Sequence, residues 1–99
     1  MNEREALLMG KRVAVYKSFS RHERWASDHE AKHKVYEVVE RSTPWDGWVV
    51  GFRTIFDGRT DYSGGDVEWL PERAHRCVLV TSAPRQRAEY VPPDGFELL

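Results

Sequence analysis

His75 and Cys77 stand two residues apart, a spacing that on a strand points both side chains to one face. A thiolate beside an imidazole would be a nucleophile. Cys77, however, opens the apolar run CVLV, and a thiol buried among apolar side chains resists ionisation. It reads as a small core residue. His29 and His33 are spaced i, i+4, with His22 seven residues before His29, but there is no second cysteine and no CxxC to complete a zinc ligand set. No metal and no cofactor are expected. Asp46, Asp57, Asp61, Asp66 and Glu68 would serve acid–base chemistry only if two were held together in a cleft. Most of these aspartates adjoin or lie near glycines, where Asp is favoured for turn geometry alone. The expectation is therefore a protein that is not an enzyme. A small enzyme using His75, or Asp61 with Asp66, is the third reading.

Aromatic and arginine side chains carry more information. Trp45, Trp48, Phe52, Phe56, Tyr62 and Trp69 compete for one small core with Val13, Val15, Val35, Val39, Ile55, Val78, Leu79 and Val80. At least two rings should therefore reach the surface. There they can cage a cation, anchor a partner protein, or stack single-stranded bases beside Arg53, Arg59, Arg85 and Arg87. The candidate binding residues are Trp45, Arg53, Arg59, Tyr62, Trp69, Arg85 and Arg87. The leading expectation is a non-enzymatic binding module that contacts a protein partner through exposed aromatics and arginines. The alternative is a weak single-stranded nucleic-acid binder using the same face.

Composition bounds these readings. Ninety-nine residues make one domain, spanning 1–99. Lys and Arg number 15 against 16 Asp and Glu, so the basic excess of a dedicated duplex binder is missing. One cysteine excludes an internal disulfide framework. No apolar run approaches the ~20 residues of a membrane helix. The expected location is cytoplasmic, with no membrane partner. Monomer and homodimer both stay open, because an edge strand at 66–70 could pair with its twin.

The elements that must position these residues follow from alternation and turn chemistry. Asn2, Glu5 and Gly10 bracket a short N-terminal helical turn. KRVAVYKSF (11–19) alternates as a first strand, and the polar stretch 20–32 after it reads as a long loop. HKVYEVVER (33–41) is a second strand and STPWDG a turn. WVVGFRTIF (48–56) is a third strand, and Asp57-Gly58 is the strongest hairpin signal. A return strand is interrupted at Gly64-Gly65, resumes at 66–70 and stops at Pro71, with PERAH as a further turn. RCVLVTS (76–82) is apolar enough to be a strand covered on both faces. EYV and FELL are short strands separated by the PPDG turn.

The hairpin DGWVVGFRTIFDGR and the ending YVPPDGFELL resemble the SH3-like small-barrel group, which includes Tudor-type and KOW-type domains. In that group the last strand often follows a proline and a one-turn 3₁₀ step, a shape VPPDGFEL shares. The resemblance covers 11–19 and 33–99. It implies a mainly all-β fold, a small barrel of five to seven short antiparallel strands, and a binding role without naming a ligand. Within it, burial of large rings places Trp48, Phe52 and Phe56 inward and Arg53 outward.

Overall fold

The computed structural model describes residues 1–25, 31–61 and 67–99, with side chains described at 1–22, 35–58 and 73–99. Helix α1 (Glu3–Leu8) begins where the Asn2 side chain accepts the Glu5 N–H at 2.8 Å. It ends before Gly10, whose φ of 76° lies in the left-handed region that glycine enters without a Cβ clash. Five antiparallel strands follow: β1 (Arg12–Trp25), β2 (Ala31–Asp61), β3 (Val67–Thr81), β4 (Glu89–Val91) and β5 (Phe96–Leu98). They form one sheet in the order β4-β3-β2-β1-β5. The ends of that order do not pair, so the sheet is not closed by hydrogen bonds. Three of the strands are long, not short. No helix among the described residues is long and apolar enough to cross a membrane.

β2 organises the molecule. Its first half pairs with β1, from Trp25↔Lys32 to Arg12↔Trp48, and its second half pairs with β3, from Trp48↔Thr81 to Thr60↔Val67. A straight strand of this length would run about 100 Å, whereas the longest dimension of the molecule is 47 Å. β2 must therefore fold back on itself. The Tyr36 N–H donates to Asp57 Oδ1 at 3.0 Å, across 21 residues of the same strand. The fold-back centres on the segment expected to be a turn. Pairing continues through Trp45, Asp46 and Gly47, but the register slips between Val15↔Trp45 and Lys17↔Glu40 and sets 41–44 outside the ladder. Pro44 has no N–H to give a ladder. Gly47 packs so tightly that a Cβ there would lie 2.7 Å from the Thr81 carbonyl oxygen and from Val80 Cγ1.

Several expectations need correction. Residues 20–25 and 31–32 extend the β1–β2 hairpin instead of forming a loop, and only 26–30 fall outside the described residues. Polar residues on both faces of this arm hide its alternation from hydrophobic patterning. Asp57-Gly58 is not the hairpin turn either. Gly58 pairs with Trp69 inside the ladder, and β2 runs on to Asp61. The interruption at Pro71 is a second register slip, between Ala74 and Trp69, within a continuous β3. Gly64-Gly65 lies outside the described residues.

The core sits at the base of the sheet. Val13, Val15, Val49, Val78, Val80 and Val91 form it, with Leu8, Trp45, Phe52 and Phe96 packed against it. Burying each such valine contributes roughly 1.5 kcal/mol. As anticipated, β3 is covered on both faces here: Cys77, Val78 and Val80 are all buried. Trp48 departs from its expected orientation, since the residue is 44% exposed while Val49 is buried. A bulge between Val49 and Gly51 is the cause. It puts Val49 and Phe52, three residues apart, on the same side, and Trp48 is left outward beneath Arg12, whose guanidinium lies 6.0 Å from the ring centroid.

Candidate functional site

β1 leaves β5 after Val15, β4 lies beyond β3, and an open groove of about 660 Å³ separates their flanks. Phe19 and Arg21 line it from β1, Tyr36 and Arg53 from the two halves of β2, and Arg87 to Tyr90 from the approach to and start of β4. Phe19 and Arg21 project together because they are two residues apart on a strand. Arg21 pairs across the hairpin with Tyr36. Arg53 donates to the Tyr90 hydroxyl at 3.1 Å and lies over that ring at 6.0 Å from its centroid. Arg87 makes no hydrogen bond or ion pair among the described residues. It is positioned by a pinned turn in which Thr81 Oγ1 donates to the Ala83 carbonyl at 2.7 Å and Ser82 Oγ to Gln86 Oε1 at 2.6 Å.

A second hollow of about 320 Å³ adjoins the first and shares Arg87 and Glu89 with it. Arg41, Trp45 and Gln86 are among its walls. Arg41 Nη2 reaches both Glu89 carboxylate oxygens, at 3.0 and 3.1 Å, and the Ser18 hydroxyl at 3.5 Å. The same guanidinium lies 6.0 Å from the Trp45 ring centroid. Glu89, the acid common to both hollows, is thus matched by a cation from the chain itself.

Against Phe19 and Tyr36 of the groove wall a polar junction ties the folded-back strand together. The Asp57 side chain is only 2% exposed; Arg73 Nε stands 3.0 Å from Oδ2 and His75 Nε2 3.4 Å from Oδ1. Neither contact has hydrogen-bond alignment, so proximity of charge and polarity holds them, and only the Tyr36 N–H bond is directed. The His75 ring packs between Phe19, at 5.2 Å, and Tyr36, at 6.4 Å. Burial pushes the Tyr36 phenol up from its ordinary value. Beside this junction Cys77 is fully buried, and its burial pushes the thiol up to about 11. At neutral pH such a thiol stays protonated and supplies no nucleophile.

Of the residues singled out in the sequence, Arg53, Arg87 and Trp45 come together along the two adjoining hollows. Arg85 lines neither hollow; it sits at the loop tip with a φ of 70°. Arg59 and Trp69 are placed in β2 and β3 by backbone pairing alone, and Tyr62 lies outside the described residues, as do His29 and Asp66. Sequence reasoning missed Phe19, Arg21, Tyr36, Arg41 and Tyr90. Reading 20–25 as strand would have exposed the Phe19–Arg21 spacing and its pairing with Tyr36. Compared with protein-family models, curated proteins and solved structures, the chain shows no match to any of them.

Proposed function

We propose that the chain is a non-enzymatic binding module whose groove receives a segment of a protein partner. One observation carries this reading: Arg21, Arg53 and Arg87 converge with Phe19, Tyr36 and Tyr90 on one concave surface. Rings and guanidinium groups are the side chains that anchor protein interfaces most strongly. The protonated, sealed Cys77 supports a binding role over a catalytic one. In fold we read the chain as a small barrel of SH3-like style. The fold-back of β2, which pairs with β1 and β3 in turn, and the turn that closes Gly95 N–H onto the Pro92 carbonyl at 2.9 Å, just before the last strand, support that reading.

Capture from cell extract tests the module. Wild type should retain a partner that the Arg53→Glu/Arg87→Glu double variant loses, with circular dichroism confirming that the variant is folded. Equal capture by both would sink the reading.

Single-stranded nucleic acid is the second reading, because arginines and rings do share this surface, as base stacking requires. Against it, one face of Tyr90 is already taken by Arg53. An oligonucleotide titration that showed steep salt dependence would favour it over the protein partner.

A further inference from the structure

We propose that the hollow between α1 and β5 receives the apolar C-terminal tail of a partner protein, with its last side chain in the pocket under α1 and its terminal carboxylate on Arg4. This second site shares no lining residue with the arginine groove.

Shape supplies the first support. A hollow of about 480 Å³ lies between Leu7 and Leu8 of α1 and Phe96 to Leu98 of β5. It adjoins a pocket of about 140 Å³, which shares Arg4, Leu8, Pro93 and Phe96 with it and reaches Phe52 and Val78. An apolar cavity of the smaller size accepts a benzene-sized group, and so a leucine side chain. Leu7 and Leu98, on the walls of the larger hollow, are 74% and 60% exposed. Apolar side chains laid against them leave water together with them.

The backbone supplies the second. β5 ends the sheet order. The Tyr16 and Lys17 N–H groups donate to the Gly95 carbonyl, and the Leu99 N–H donates to the Arg12 carbonyl, so residues 95 and 99 face β1. By alternation the N–H and C=O groups of Phe96 and Leu98 point to the opposite edge, which pairs with no strand among the described residues. A polypeptide can answer those groups, whereas a hydrocarbon cannot.

Charge supplies the third. Arg4 lines both the pocket and the hollow, and Lys11 lines the hollow. Neither side chain makes a hydrogen bond or ion pair among the described residues. The two acids on the same walls are engaged: Glu5 is paired with Arg76, and Glu97 accepts from the Tyr16 hydroxyl at 3.3 Å. Unmatched cations beside an apolar pocket fit a ligand that ends in a carboxylate. The space takes a few residues, which suits a chain end.

The probe is the peptide Ac-GSGLVL-OH, titrated into the full chain and followed through the methyl resonances. Shifts are expected at Leu7, Leu8, Val78 and Leu98. The amidated peptide Ac-GSGLVL-NH2 should bind about fivefold more weakly, because it forfeits a charge-assisted contact. Arg4 is exposed, so Arg4→Gln leaves the fold intact. It should weaken the acid by the same factor and leave the amide alone, so that the two peptides then bind alike. Glutamate in place of the last leucine of the peptide should weaken binding about tenfold or more. Equal affinity of acid and amide for wild type, an equal loss of both at Arg4→Gln, or shifts confined to other surfaces would each overturn the proposal. So would tighter binding of sodium decanoate, no peptide binding at all, or a dimer of this chain that Leu7→Glu dissociates. Capture with the Arg53→Glu/Arg87→Glu variant reads the other site, so either reading can fail alone.

Discussion

Around Val13, Val15, Val49, Val80 and Val91 the side chains are sealed from solvent and wholly apolar. Where Tyr36, Asp57, Arg73 and His75 meet, the contacts are polar, and Arg73 is more than half exposed. The first region draws on β1 to β4 and the second on β2 and β3, and they resist unfolding by different means. Valine packing is non-directional and depends on area removed from water. The Asp57 junction depends on one buried carboxylate that must keep its partners, because an unpaired buried charge is costly. The base thus stabilises the whole molecule, and the far junction ties together the two halves of β2, which bring Tyr36 and Arg53 to the groove. The groove that Arg21, Arg53 and Arg87 line lies towards the less apolar end, where arginines can be tolerated.

Truncation at each region would sharpen this contrast. Val80→Ala should have the largest effect, about 2.5 kcal/mol of global stability, because it leaves a cavity in the tightest part of the core. In thermal unfolding of a chain this size that corresponds to a drop of roughly 10–20 °C. Asp57→Ala should cost about 2 kcal/mol, the penalty of leaving buried partners unsatisfied. Its distinctive signature would be local: faster amide exchange at Tyr36 and at 54–57 and 74–77, with Val13, Val15 and Val49 unchanged. Uniform acceleration across all of these amides would show that the two regions are a single cooperative unit.

The smallest effect concerns α1, which the Glu5–Arg76 pair ties to β3. Glu5 accepts from Arg76 Nη2 at 2.6 Å and from Nε at 3.1 Å, and this contact holds its carboxyl below the ordinary value of 4.5. A depressed folded-state pKa stabilises above the unfolded value and loses that contribution as pH falls through the folded one. Wild type should therefore melt above Glu5→Gln at pH 7, and the difference should shrink below pH 4.5. A difference that persisted at pH 3 would show that the charge on Glu5 is not what docks the helix.

The contrast between the regions also explains what could be read in advance. Val13, Val15, Val78 and Val80 alternate or cluster in ways that hydrophobic patterning detects, so the base was legible as strand. Asn2 and Gly10 marked the helix ends for local reasons. Residues 20–25 were not legible, because a hairpin arm with polar residues on both faces has no apolar period. Asp57 misled: beside Gly58 it carries a turn signature, but tertiary folding buries it under the Tyr36 N–H and beside His75. The orientation of Trp48 turned on a bulge at Val50, and one extra residue exchanges the two faces of a strand.

By itself the sequence determined the mainly β character, the capped helical turn, the Pro92–Gly95 turn and the membership of Cys77 in the core, because each depends on neighbours a few residues away. Tertiary structure alone decided that the ladder runs on through Trp45–Gly47 of the expected turn, that Tyr36 reaches Asp57, and that Arg21, Arg53 and Arg87 converge on one groove. Those outcomes depend on register between strands distant in sequence, and a slip of one residue moves every side chain to the opposite face.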